Sequence, residues 1–443
     1  MNVPVAWETA WINAAKKLKK EGIKTKEKII IEKPTLEGSG LSTYIVYNVV
    51  CGTDDTASNV RRRYTDFVWL RSELNANYPG LLLPALPPKI SPGDAKDPLG
   101  AFVQGRMAHL QLFLESVNKI PFLFEDIAFN AFLTVPQGDS WAKKQELINA
   151  IEYDDAEKRS EGWCLWREML DAVELPTAST LKKLIAEAKA HIGGLTGLLR
   201  NIDESWTEVN AANNTLTKRL QTMSRVTHTW RAYEVKACEK DEPSAVMKHL
   251  TGDVMARVSS TTALLVDQWN AEARHVRDMI KKEMMGCMIT QNGMAQGMLE
   301  IIAYRETLMA EIEEKLKILD KKDGHIDRIQ NKRLSVFDAI KGRTEESVAK
   351  SIDKHENRLK YIEESVLLLS RALWYCEIDR FGMMREVDIE KAIVSIINMN
   401  SEIAVEDAKK WSTIAESIDL GPIDYDSDSD ADKVSGGCGC TIA

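Results

Sequence analysis

Cysteine is sparse, with seven in 443 residues. Five of them (Cys51, Cys164, Cys238, Cys287 and Cys376) are scattered without a pairing rhythm. That excludes a disulfide-stapled fold and suits reduced thiols in a cytosolic protein. Long apolar runs are also missing. The longest, around Leu81-Leu82-Leu83 and Leu367-Leu368-Leu369, fall far short of the ~18 residues of a spanning helix. The amino-terminus has no apolar signal core, so a cytoplasmic location is expected. The formal net charge is -9, which argues against a nucleic-acid binder. No HExxH, paired CxxC or GxxxxGK[ST] occurs, so no metal and no cofactor is expected. Between Pro176 and Ile418 the only proline is Pro243, and a stretch that long with so little proline is helical.

What is present is ordinary for folded protein: 44% hydrophobic and 28% charged residues. The length suggests two or three domains at roughly 100–200 residues each. Charge is uneven, because Asp419 to Ala443 holds six Asp against one Lys. Any contact with an anionic surface must therefore come from local basic clusters.

Residues 1–27 read as a helical leader, with Trp7, Trp11, Ala14, Ala15 and Leu18 at helical spacing and Lys16, Lys17, Lys19 and Lys20 among them. Two readings stand: an amphipathic helix on a membrane surface, or a leader packed on the next domain. Lys28–Glu32 and Tyr44–Cys51 are rich in Ile, Val and Tyr and read as strands joined through Pro34, Gly38 and Gly40. Phe67–Asn77 and Ala101–Asn118 have helical spacing. Between them, Leu83-Pro84-Ala85-Leu86-Pro87-Pro88-Lys89 favours an extended backbone. Phe122–Leu133 reads as a last apolar helix. Residues 28–136 thus form a compact α+β domain with a small antiparallel sheet.

Residues 137–176 hold two amphipathic linker segments, Trp141–Tyr153 and Trp163–Val173. A heptad seam follows at Leu181, Ile185, Ala188, Ile192, Leu195, Leu199, Ile202, Trp206, Val209, Asn213, Leu216, Leu220, Met223, Thr227 and Trp230. Steps of four and three alternate throughout, as in a coiled coil. A helix of about 60 residues is roughly 90 Å long and cannot bury such a stripe alone. Two more long helices are predicted, from about Pro243 to Asp338 and from about Thr344 to Ile418, with a weak point at Asp320–Gly324. Residues 177–420 therefore read as an all-α, elongated three-helix bundle.

The chemistry-bearing cluster is Arg61-Arg62-Arg63-Tyr64-Thr65-Asp66-Phe67. A basic triplet by itself is usually a solvated face. It gains meaning beside Lys89, behind the proline-rich turn, and Arg106, early in a helix. Guanidinium forks grip phosphate bidentately, lysine adds a point charge, and an aromatic ring stacks on a flat sugar.

These residues, in this order with Leu86-Pro87-Pro88 and with Leu110 and Phe113-Leu114, resemble the phosphoinositide-binding PX domain over about residues 28–136. The resemblance implies that Arg63 holds the 3-phosphate of phosphatidylinositol 3-phosphate. It implies that Tyr64 stacks under the inositol ring, Lys89 meets the 1-phosphate, and Arg106 bonds the 4- and 5-hydroxyls. The segment Pro92–Leu99 corresponds to that family's membrane-dipping loop, but carries Asp94, Lys96 and Asp97.

The whole layout resembles sorting nexins with a BAR domain, and Leu373–Phe381 with Lys410-Trp411 are similar to that family's last helix. The resemblance implies a homodimer, or a heterodimer with another BAR-type sorting nexin. It also implies curvature sensing or induction on endosome membranes and a retromer-like coat as partner. Lys321, Lys322, Lys332 and Arg333 are membrane-contact candidates near one bundle tip, the alternative being a solvated, charge-balanced face. Trp141 is a further candidate if the linker helices lie in the interface, against the reading that they pack on protein. Residues 421–443 form an acidic tail. Its Cys440-Thr441-Ile442-Ala443 fits the C-a-a-X pattern, making Cys440 a prenylation candidate and Cys438 an acylation candidate.

The leading reading is a non-catalytic, phosphatidylinositol 3-phosphate-binding sorting nexin in endosomal protein transport. The alternative is a coiled-coil scaffold whose PX-like domain binds protein instead of lipid. An enzyme has little support, because Gly193-Gly194-Leu195-Thr196-Gly197 lies inside the heptad seam and follows no strand.

Overall fold

A computed structural model describes residues 6–20, 28–39, 43–52, 57–87, 89, 100–124, 126–151, 160–238, 253–279, 285–330 and 345–416. It divides into two units: Met1–Glu208 with Lys281–Ser395, and Val209–Ile280 with Ile396–Ala443. No helix among the described residues is long and apolar enough to cross a membrane.

In the first unit, β1 (Ile29–Glu37), β2 (Tyr44–Cys51) and β3 (Ser58–Arg63) form an antiparallel sheet in that order. Ile31 faces Val49, and Val49 faces Val60. The β1 register slips between Glu32 and Thr35, around Pro34, which has no N–H for the ladder. Helix α2 (Tyr64–Asn77) starts where β3 stops, and α3 (Ala101–Asn118) packs on β1. From α3, Gln111 accepts from the Ile31 N–H at 2.6 Å and donates to the Ile29 carbonyl at 2.8 Å. Its amide acts as one extra rung on β1.

A short turn (Pro121–Leu123) leads to α4 (Ile127–Thr134), which is capped at both ends. The Asp126 carboxylate accepts from the N–H groups of Ala128 and Phe129 at 2.9 and 3.0 Å. At the other end the fully buried Arg62 donates to the carbonyls of Ala131, Phe132 and Val135 at 3.2, 2.9 and 2.6 Å. These are groups a helix terminus leaves unsatisfied, and a cation suits that end of the dipole. Burial pushes Arg62 down to about 10, with nearby Asp66 pulling it back up, so it stays charged at neutral pH.

The leader and linker helices pack inward. Helix α1 (Ala6–Lys20) buries Trp7 and Leu18, and sets Trp11 edge-on to Phe122 at 5.1 Å. The structure thus selects the protein-packed reading of the leader. Helices α5 (Asp139–Asn149) and α6 (Glu161–Asp171) likewise contribute Trp141, Trp163 and Trp166 to the core. Gly162 permits this approach, because a Cβ there would lie 1.9 Å from the Phe122 carbonyl oxygen.

The assignment of Trp141 to membrane contact is overturned. It is 3% exposed, its indole N–H donates to Asp66 Oδ1 at 2.9 Å, and its ring lies 4.0 Å from the Arg62 guanidinium. An indole with these partners has no reason to leave them for a bilayer. Trp141→Phe is expected to cost about 1–2 kcal/mol of stability through the lost hydrogen bond while leaving vesicle binding unchanged. Denaturant unfolding and flotation check the two halves of that prediction.

The first unit also holds the start of α7 (Ala178–Cys238), helices α9 (Met285–Gln330) and α10 (Glu345–Ala372), a π-helical turn (Leu373–Glu377), and the start of α11 (Ile378–Glu416). Leu181, Ile185, Ile192, Leu195 and Leu199 of the seam are buried in one cluster with Met294, Met298, Ile302, Ile362 and Leu369. The weak point expected at Asp320–Gly324 does not interrupt α9, which runs on to Gln330. The helix break expected near Ala339–Thr344 lies outside the described residues. Gly193–Gly197 sits within continuous α7, so its N–H groups are engaged in helix bonds and cannot cradle a phosphate.

In the second unit, the rest of α7, helix α8 (Asp253–Met279) and the end of α11 meet through polar groups. Asn213 donates to the Ala273 carbonyl at 3.0 Å, Gln268 to Asp407 at 2.7 Å, and Trp411 to Glu272 at 2.8 Å. Asn213, Thr217, Thr227 and Glu234 are the buried positions of α7 here, whereas Val209, Leu216 and Met223 are 46%, 51% and 44% exposed. Beyond Glu208 the apolar stripe faces away from the chain's own partners, and buried hydrogen bonds fix the helix register instead.

Candidate functional site

The basic triplet separates three ways. Successive strand residues point to opposite faces, so Arg61 is exposed and pairs with Glu37, Arg62 turns into the core, and Arg63 ends β3 half-buried. Tyr64 opens α2. The carboxylate of Asp66 accepts from the Arg63 N–H at 2.7 Å, and its other oxygen takes the Trp141 N–H. The strand-to-helix corner is thereby fixed from the third helical residue, in the manner of a capping box.

The Arg63 guanidinium lies 3.6 Å from the centroid of the Tyr44 ring. Among the described residues it forms no ion pair, and its buried Nε has no hydrogen-bond partner. Arg106, on the first turns of α3 and 9% exposed, lies 4.3 Å over the Tyr64 ring. Both guanidiniums thus rest on aromatic faces, which hold a cation without neutralising it. Arg106 covers one face of Tyr64, so a sugar does not stack on that face. The Tyr64 hydroxyl donates to the Pro87 carbonyl, and Lys89, two residues further on, is exposed.

Burial raises the Tyr64 phenol, with Arg106 and Arg71 pulling it partly back. Burial likewise raises Tyr47, against the charge of Arg106. Both phenols stay neutral hydroxyls at physiological pH. The structure therefore sets Arg63 against Tyr44 and Arg106 over Tyr64, next to Arg63 in the chain, with Lys89 two residues beyond the Pro87 carbonyl that Tyr64 holds. Such a set can grip phosphate by two forks beside a polyol ring.

Tyr44 was not legible as part of this set. Strand register pairs Val46 with Arg63, which makes Tyr44 a diagonal same-face neighbour, and that relation exists only once the strands are paired. Of the basic tip candidates, Lys321 is exposed on α9, and Lys322 is described by its helical backbone alone. Lys332, Arg333, Cys438, Cys440 and the Pro92–Leu99 loop lie outside the described residues.

Residues 52–136 match the PX domain family. The chain is 37% identical over 103 residues to sorting nexin MVP1 of Candida albicans, covering 23% of this chain and 14% of that protein. It is 31% identical over 163 residues to sorting nexin MVP1 of Candida glabrata, covering 37% and 28%. Human sorting nexin-30 is 33% identical over 122 residues, covering 26% and 28%. The chain thus spans less than a third of the length of these relatives. The cryo-EM structure of the SNX-BAR Mvp1 tetramer matches 87% of this chain and 99% of its own, with a TM-score of 0.54 and 19% identity. The fold is a PX domain followed by BAR-type helices.

Proposed function

We propose that this chain, with the fold of a PX–BAR sorting nexin, is a peripheral membrane protein that recognises phosphatidylinositol 3-phosphate. The observation that carries the reading is the pair of guanidiniums held on phenol faces, with Arg63 left without an acidic partner among the described residues. Arg63 takes the 3-phosphate, Tyr64 stacks under the inositol, Arg106 bonds ring hydroxyls, and Lys89 meets the 1-phosphate. The protein binds and shapes membranes and carries no catalysis. It acts on the cytoplasmic face of endosomes in protein sorting, with a retromer-like coat as partner.

A single headgroup site is weak, so the reading includes a homodimer or a heterodimer with another BAR-type sorting nexin. Two sites on one assembly raise the effective affinity without new contacts. The exposed stripe of Val209, Leu216 and Met223 supports self-association, because apolar side chains at heptad spacing gain by covering one another. The basic residues Lys321, Lys322, Lys332 and Arg333 add attraction to anionic lipid, and the dimer senses or induces curvature.

Flotation with vesicles tests the lipid half: phosphatidylinositol 3-phosphate is expected to recruit the protein and phosphatidylinositol is not. Sedimentation tests the dimer. Leu216→Glu with Met223→Glu is expected to raise the dimer dissociation constant at least about tenfold, since two charges would be buried against an apolar stripe. A stable dimer with no lipid selectivity would favour the protein-binding scaffold.

A further inference from the structure

The extended segment Leu82–Pro87 is tied at one end to the helical bundle and at the other to Tyr64 of the cationic cluster, all within the first unit. On the bundle side, Arg380 of α11 donates to the Leu82 carbonyl at 2.8 Å. The Ala85 N–H donates to the Gly293 carbonyl of α9 at 2.8 Å. One turn further along α9 the Leu83 carbonyl lies so close that a Cβ on Gly297 would come within 2.2 Å of its oxygen. On the pocket side, Arg71 of α2 donates to the Pro84 carbonyl at 2.8 Å and reaches Glu300 of α9 at 2.6 Å. Tyr64 donates to the Pro87 carbonyl. Lys89 follows two residues later.

An extended, proline-rich segment has no internal hydrogen bonds, so its position is whatever its ties impose. Gly293 and Gly297 are four apart, on one helix face; the missing side chain of Gly297 lets the strap lie against α9, and Gly293 contributes its carbonyl to the Ala85 N–H. We infer that the BAR-type bundle positions the headgroup pocket through this strap, with Gly293, Gly297, Glu300 and Arg380 as positioning residues that never touch the lipid. The inference rests on the phosphoinositide reading of the cluster and adds to it a dependence on residues between about 200 and 300 positions away in sequence, since Lys89 and the Tyr64 hydroxyl are held by a segment seated on α9. Binding sites lose affinity when their supporting contacts shift by fractions of an ångström.

The test is calorimetric binding of water-soluble dibutanoyl phosphatidylinositol 3-phosphate to the full chain, which removes avidity and bilayer contacts. Gly297→Val is expected to weaken binding about tenfold and Glu300→Gln about threefold, the scale of one lost hydrogen bond or less. Gly286→Ala on the same helix, where a Cβ meets nothing within 4 Å, is expected to bind like wild type. Sedimentation is expected to give the same dimer for all. Wild-type affinity in both Gly297→Val and Glu300→Gln would overturn the inference while leaving the lipid reading intact. If Gly297→Val fails to fold, Glu300→Gln decides alone. No binding by wild type, with the dimer present, would instead remove the lipid reading and the inference together.

Discussion

Arg63→Ala is expected to weaken binding of phosphatidylinositol 3-phosphate vesicles about 100-fold. A bidentate guanidinium–phosphate contact contributes roughly 3 kcal/mol, which converts to that factor. Folding is expected to survive, because the side chain of Arg63 forms no ion pair among the described residues and its main tertiary contact is the Tyr44 ring. Arg63→Lys keeps the charge without the planar fork, so an intermediate affinity is expected. Flotation against phosphatidylinositol controls reads all three proteins. Full selectivity in the alanine variant would mean that the phosphate is held elsewhere.

Arg380→Met is expected to remove about 3–5 kcal/mol of stability near neutral pH, the cost of stranding a buried charge. Glu377 is fully buried and Arg380 nearly so, joined at 2.6 Å. Burial pushes the Glu377 carboxyl above its usual range, and Arg380 pulls it partly back. Without Arg380 the carboxyl moves higher still. A carboxyl raised in the folded state favours folding below its unfolded pKa, and that contribution is lost as pH rises through the folded value. The deficit of Arg380→Met should therefore be larger at pH 7.5 than at pH 5, shrinking as pH falls and the carboxyl takes a proton. Urea unfolding at the two pH values measures it. An equal deficit at both would mean that Glu377 is already neutral beside Arg380. Pairing the change with Glu377→Gln should recover part of the loss.

Much of the architecture was legible because its signals are local. Alternating Ile, Val and Tyr marked β1 and β2, proline marked the strap, and heptad steps marked the long α7. Arg63, Tyr64, Lys89 and Arg106 stood out as cations beside an aromatic, and their proposed roles come from the resemblance. The fate of each tryptophan was not. Trp141 on an amphipathic helix fits a bilayer and a protein core equally well by pattern, and only the Phe132 ring and the Arg62 and Asp66 side chains decide it. The seam shows the same limit. Its spacing runs unbroken to Trp230, yet it is buried at Leu199 and exposed at Leu216.

The order of residues alone therefore determined most of the helices and the strands β1 and β2, because backbone propensity, proline geometry and hydrophobic period act within a few residues; β3, which carries the basic triplet, was not legible as a strand. It also set out Arg63, Tyr64, Lys89 and Arg106 in the order in which they resemble a PX domain. Only the tertiary structure decided that Arg62 turns into the core, that Tyr44 lies against Arg63, and that Gly293 and Gly297 of α9 seat the strap leading to Lys89. Those outcomes depend on strand register and on which surfaces meet, and such contacts join residues far apart in the chain.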